Sequence, residues 1–179
     1  MPNTEFEALV DQHYEKLYRF ACSLGGDPDL ASDLTQQTFY VYARKRSQIR
    51  DPRRTKSWLF TILHREFIAL KRKARRHPEF EIQMVENELP PIEPEGVERL
   101  DAQILMNTVQ RLDERFREVL VLYHIDDLAY REIAEILDLP IGTVMSRLAR
   151  GREHLLNLLK KAEETAGNVV ALSAKSNTA

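Results

Sequence analysis

Cysteine is nearly missing from this chain: Cys22 is the only one in 179 residues. A single thiol closes no internal disulfide and, with no second cysteine near it, starts no metal-ligand pair. Its place in an apolar helical stretch reads as that of a small buried hydrophobe, and a reducing cytoplasm is the expected compartment. Long apolar runs are lacking too, and none approaches the roughly 20 residues that a membrane-spanning helix needs, so membrane insertion is not expected. The acidic start MPNTEFEALVDQ has no basic segment followed by an apolar core and does not read as a secretory signal. Histidines stand at 13, 64, 77, 124 and 154, never three or four apart, which speaks against a zinc site. There is no glycine-rich phosphate loop and no nucleophile motif. We therefore expect no enzyme, no cofactor and no metal.

Charge is present in quantity, but in blocks. The formal net charge is only −2, yet residues 1–40 carry two basic residues, Lys16 and Arg19, against seven acidic ones. From Arg44 to Arg76 there are thirteen basic residues against two acids, Asp51 and Glu66. His77 to Glu98 then holds seven glutamates and no lysine or arginine. The blocks, not the mean, carry the information.

Apolar residues recur at threes and fours, and strand-like alternation is missing, as is a repeat of fixed period. Thr4 and Glu7 are spaced as a capping box before Phe6, Leu9, Val10, Leu17, Phe20, Ala21 and Leu24, and Gly25-Gly26 ends that helix. Asp27-Pro28 supplies an N-cap and a first-turn proline for a second helix to about Arg46. After the polar loop SQIRDPRRTKS a third helix starts near Thr55 or Ser57 and gives way at KRKARRHP, with Pro78 as its stop. PEFEIQMVENELPPIEPEGVER, with four prolines, has the composition of an extended linker. Beyond it, Ile104, Leu105, Val109 and Leu112 form one stripe, and another helix runs from Asp113 or Glu114 to His124. The fold class expected is all-α: two small helical domains, 1–77 and 100–162, joined by a flexible acidic linker, 78–99, with a disordered tail over 163–179.

The stretch YREIAEILDLPIGTVMSRLARGREHL breaks helical spacing once, at Asp138 to Gly142. Ile133, Ala134 and Leu137 before the break, and Val144, Leu148 and Leu155 after it, suit a shared core, with Leu139 and Ile141 filling the corner. Two helices joined by so tight a turn make a helix-turn-helix. The other face of its second helix offers Thr143, Ser146, Arg147 and Arg150 from the end that enters a major groove. Arginine there can address guanine or phosphate. From Gly142 to Lys161 five basic residues stand against one acid. An ordinary helical hairpin with a solvated basic face is the competing reading.

Thirteen positive charges in one segment repel one another unless a polyanion neutralises them. Lys56, Arg65, Lys71, Arg72, Arg75 and Arg76 can track phosphates, and His64, Phe60 and Phe67 lie among them as aromatic groups suited to unpaired bases. Trp58 and Phe67, however, sit at core spacing, which favours packing for both.

The order of these segments resembles the extracytoplasmic-function sigma factors of bacterial RNA polymerase, over roughly Phe6 to Leu158. The resemblance rests on DLTQQTFYVYAR, SWLFTILHREFIALKRKARR, the acidic linker, and LDERFREVLVLYHIDDLAYREIAEILDLPIGTVMSRLARGREHL. It implies a protein that binds core RNA polymerase, directs it to promoter DNA by recognising an upstream and a melting element, and is restrained by an anti-sigma protein. It places Asp33, Gln36, Gln37 and Phe39 in the helix that docks on polymerase, with Gln37 where a glutamate is usual. The loop from Ser47 to Ser57 and the helix after it, with Lys56, His64, Arg65, Lys71, Arg72, Arg75 and Arg76, correspond to the region that captures melted DNA. Arg65 and Ala69 depart from an asparagine and an aspartate frequent there. Thr143, Ser146, Arg147 and Arg150 match the face that reads the upstream element. Met145 stands where a basic residue is common, and Asp138 replaces the usual turn glycine, a change the left-handed conformation tolerates in aspartate. Two other readings are a helix-turn-helix regulator that binds duplex DNA without polymerase, and a sigma mimic that only titrates an anti-sigma protein. Neither needs both basic contact regions that this chain keeps.

Overall fold

The computed structural model of the chain describes residues 3–49, 51–76, 105, 107–124 and 126–176, with the backbone alone at residue 3 and over 163–176. Among the described residues every regular element is helical: α1 (Asn3–Gly25), α2 (Pro28–Lys45), α3 (Thr55–Arg76), α4 (Glu114–His124), α5 (Tyr130–Leu137) and α6 (Ile141–Ser176), with two short 3₁₀ turns before α3. Residues 107–110 are also helical. The acidic linker 78–99 lies outside the described residues.

Local chemistry sets the breaks. Gly26 takes φ 72° after α1, a conformation that costs glycine little. Asp27 then accepts the N–H of Asp29 at 2.9 Å, with Pro28 opening α2. Asp51 repeats the device ahead of α3: it accepts from Arg53 N at 3.0 Å and caps the short turn Pro52–Arg54. The side chain of Arg53 holds the Asp51 carboxyl below its ordinary range.

Helix α1 packs on α2, and both pack on α3, through Leu17, Phe20, Leu24, Leu34, Leu59, Phe60, Leu63 and Phe67. In the second domain α4, α5 and α6 close around Val119, Leu122, Ile133, Ile136, Val144 and Leu148. Gly151 lets α6 cross α4 closely, since a Cβ there would stand 3.0 Å from Leu120 Cδ1.

Four expectations need correction. Thr4 lies inside α1 rather than capping it, a shift of two residues at a helix end. Helix α3 does not dissolve at its basic end but runs to Arg76, where Lys73, Arg75 and Arg76 in the last turn face the negative end of the helix dipole. Helix α6 continues through the expected disordered tail to Ser176. Leu105 is 42% exposed instead of joining the core stripe.

The two domains are also not separated. α1 meets α4 and α3 meets α5, and buried side chains of both domains form one continuous apolar cluster. Gln110 Nε2 donates to the Cys22 carbonyl at 3.1 Å across this seam. Helices that each present a second apolar stripe lower their exposed area by packing together, at roughly 25 cal/mol per Å² buried.

Candidate functional site

The helix-turn-helix is built as its breaks require. Asp138, φ 53° and ψ 51°, is left-handed, and the Leu139 N–H returns to the Ala134 carbonyl at 3.0 Å. Ala129 N donates to the Glu132 carboxylate at 2.9 Å at the start of α5. Pro140 then opens α6, accepting from Thr143 N at 2.8 Å and Val144 N at 3.2 Å. Val144 and Leu148 are buried, so the opposite side of α6 faces out.

On that side Ser146 and Arg150 are exposed and Thr143 and Arg147 are half-buried. Ser146 Oγ donates to the Thr143 carbonyl at 3.0 Å. Ile141 does not fill the corner: it is 47% exposed, and Met145 52%. Leu139 packs partly buried against the core, whereas Ile141 stands out beside the polar residues. Arg152 belongs to the packing instead; it donates to His124 Nε2 at 3.2 Å and lies 5.2 Å from the centroid of the Tyr123 ring.

A second surface lies on α2. Asp33, Gln36 and Gln37 are exposed and line a groove of about 620 Å³ with Leu30, Tyr40, Glu66 and Leu70. Gln36 donates to Ser32 Oγ at 3.0 Å. Phe39 is not on this face. It is buried under α1, edge-on to Phe6 at 6.4 Å and stacked with Tyr14 at 6.3 Å. Tyr40 stands there in its place, 55% exposed and hydrogen-bonded by Arg44 at 2.9 Å. Its spacing of three from Gln37 and four from Gln36 is the sequence signal for that face.

The third surface, the loop before α3 and α3 itself, divides. Arg65, Arg72, Arg75 and Arg76 are exposed, whereas His64 is buried and Lys56 and Lys71 are half-buried. Phe60 and Phe67 are fully buried and unavailable for stacking on bases. Trp58 is half-buried, edge-on to Tyr42 at 6.0 Å, and borders a cavity of about 430 Å³ with Gln48, Ile49, Asp51, Arg54, Ser57, Thr61 and Glu135. Glu135 comes from α5, so the second domain supplies one side of that wall. Burial pushes the Cys22 thiol up to about 11, which keeps it neutral. Among the described residues no group of three or more His, Cys, Asp or Glu could hold a metal ion, and no helix is long and apolar enough to cross a membrane.

Comparison with known proteins decides the family. Residues 9–77 match the model of Sigma-70 region 2 and residues 102–155 that of Sigma-70 region 4. The chain is 31% identical over 166 residues to the ECF RNA polymerase sigma factor SigW of Bacillus subtilis, covering 87% of this chain and 89% of that one. The chain belongs to the extracytoplasmic-function sigma factors. It is also 34% identical over 167 residues to SigE of Mycolicibacterium smegmatis, over 90% of this chain but 64% of that longer relative. Among solved structures, the sigma factor RpoE of Bartonella quintana, in complex with the anti-sigma factor NepR, matches with a TM-score of 0.74 and 31% identity, over 87% of this chain and 97% of that one. CnrH, in complex with the cytosolic domain of CnrY, matches at a TM-score of 0.59 and 28% identity, over 87% of this chain and 88% of that one. As a sigma factor the chain is a promoter-recognising initiation factor of RNA polymerase, not an enzyme.

Proposed function

We propose that three surfaces divide the work of initiation. Asp33, Gln36, Gln37 and Tyr40 dock the groove on α2 against core RNA polymerase, with Phe39 supporting that helix from beneath. Thr143, Ser146, Arg147 and Arg150 read the upstream promoter element in the major groove. Arg65, Arg72, Arg75 and Arg76, together with Lys56, Lys71 and His64 once these are accessible, hold the melted strand by its phosphates. The units are 1–77, 78–99 and 100–162, and the acidic linker follows polymerase surface meant for nucleic acid. The protein works in the cytoplasm, where polymerase is, and an anti-sigma protein restrains it, a reading supported by the similar RpoE, which is bound to the anti-sigma factor NepR.

The observation that carries this reading is the left-handed Asp138 turn, which seats α6 with Val144 and Leu148 inward and Arg147 and Arg150 outward. Weak separate contacts with one promoter gain affinity by being tethered. The test compares two double variants. Arg147→Ala with Arg150→Ala should weaken binding of polymerase holoenzyme to upstream-element duplex by about tenfold or more, while co-purification with core polymerase stays intact. Asp33→Ala with Gln37→Ala should weaken co-purification with core polymerase, while holoenzyme assembled at saturating variant binds the upstream-element duplex as wild type does. Equal losses in both assays for either variant would overturn the assignment.

A further inference from the structure

The first turns of α6 divide its circumference by exposure. Val144 and Leu148 are buried, Thr143 and Arg147 are half-buried, and Gly142, Ser146 and Arg150 are exposed. Ile141, Met145 and Ala149 are exposed as well, each four residues from the next, so they share one ridge. Successive residues lie about 100° apart around a helix. Measured from Val144, that puts Ser146 near the middle of the outward face, with Arg150 and Thr143 to one side of it and Met145 and Ala149 to the other. None of the three ridge side chains carries a charge or a hydrogen-bond donor. Ile141 and Met145 are large, and neither belongs to the apolar cluster that holds Val144 and Leu148.

We propose that this ridge reads thymine: Met145, with Ala149 beside it, covers the C5-methyl group of a thymine in the upstream promoter element, and so makes an A·T pair at that position part of the sequence the protein selects. The inference rests on the role given to α6 above. An α-helix with its side chains is about 10–12 Å across and the major groove about 12 Å wide, so a helix end seated there meets the groove with both flanks. Arg150 and Thr143 on one flank can bond base edges and phosphates. The Met145 flank offers neither charge nor donor, and the apolar group that the base pairs present in the major groove is the thymine methyl. A phosphate or a cytosine amino group set against that flank would give up water with no bond in return. The thioether side chain is unbranched and shapes itself to what it covers. A lysine or arginine at 145 would hold phosphate whatever the sequence; methionine exchanges that general contact for a selective one.

The test uses polymerase holoenzyme and a duplex carrying the upstream element that the protein itself selects. Each thymine in turn is replaced by deoxyuridine, which removes the methyl group and nothing else. For wild type, at least one replacement should weaken binding about fourfold, the worth of one buried methyl group. Met145→Ala should bind the unmodified duplex more weakly by a similar factor and should reduce the penalty at that thymine to less than about 1.5-fold. Met145→Leu, which keeps an apolar side chain of similar size, should retain a penalty above about twofold. A penalty equal in wild type and Met145→Ala would overturn the inference. So would the lack of a penalty at every thymine in wild type, the result expected if the ridge covers a protein surface instead. The reading of α6 is checked in the same assay: were it wrong, wild-type holoenzyme would bind the element no better than a scrambled duplex, and the inference would fall with it. Preference for the element without any thymine penalty overturns the inference alone.

Discussion

Lys71 and Glu114 face each other across the domain seam, Nζ to Oε2 at 2.6 Å, with 20% of one side chain and 33% of the other exposed. Lys71 also lies 5.3 Å from the centroid of the Phe67 ring, so its charge is held between a carboxylate and an aromatic face. Solvent reaches the pair and screens it. Glu114→Gln should therefore lower the stability of the full chain by less than about 1 kcal/mol in urea denaturation. A loss several times larger would mean that the seam is structural rather than a releasable contact.

Asp126 carries the pH dependence. Its residue is fully buried, both carboxyl oxygens lack a hydrogen-bond partner, and burial pushes the carboxyl up to about 7 against the lowering pull of Lys56, Lys16 and Arg19. An unfolded aspartate titrates near about 3.9. Between these values the folded chain holds the extra proton, so this group's contribution to stability falls as the pH rises through about 7 and then levels. His13 and His124 act oppositely, because burial lowers both and folding then gains as the pH rises through the ordinary histidine range. The difference between wild type and Asp126→Asn removes their contribution. In urea denaturation at about pH 5 and about pH 8, the variant's advantage should grow with pH by a few kcal/mol. An advantage independent of pH would contradict the assignment.

Asp138 occupies the left-handed region at φ 53°. Asp138→Gly should be neutral or stabilising by up to about 1 kcal/mol, and Asp138→Val should cost about 1–2 kcal/mol while loosening the presentation of α6. The urea midpoint of each variant checks this. The reverse ranking would show that the side chain, not the backbone, holds the turn.

Gly151 is needed for closeness rather than for its backbone angle. A β-branched side chain there would push on Leu120 and Phe116, whose nearest atoms lie 3.0 and 3.3 Å from the position of a Cβ. Gly151→Val should destabilise by about 1–3 kcal/mol, read as a lower urea midpoint with an unchanged slope. An unchanged midpoint would show that α4 and α6 separate freely.

What is legible in the sequence is what neighbouring residues decide. Asp27-Pro28 announces α2, and Asp138 to Gly142 marks the turn because a left-handed residue followed by proline cannot continue a helix. The outward set on α6 follows from spacing once Val144 and Leu148 are taken as core. The position of Phe39 does not follow in this way, because whether an aromatic on α2 faces polymerase or α1 depends on Phe6 and Tyr14, some 25 to 33 residues away in sequence. The seam is illegible for the same reason. Lys71 and Glu114 are 43 residues apart and Arg54 and Glu135 are 81 apart, so no local period records their pairing. His64 sits in a basic run and reads as a member of it, although Glu118 takes it out of solvent.

On the function proposed above, the outward face of α6 brings polymerase to a promoter. Run-off transcription with core polymerase on a library of promoter fragments tests it most directly. Wild type should start RNA chains at discrete sites sharing an upstream motif, and Arg147→Ala with Arg150→Ala should abolish those starts while still binding core. Starts that persist at the same sites in the double variant would contradict the account.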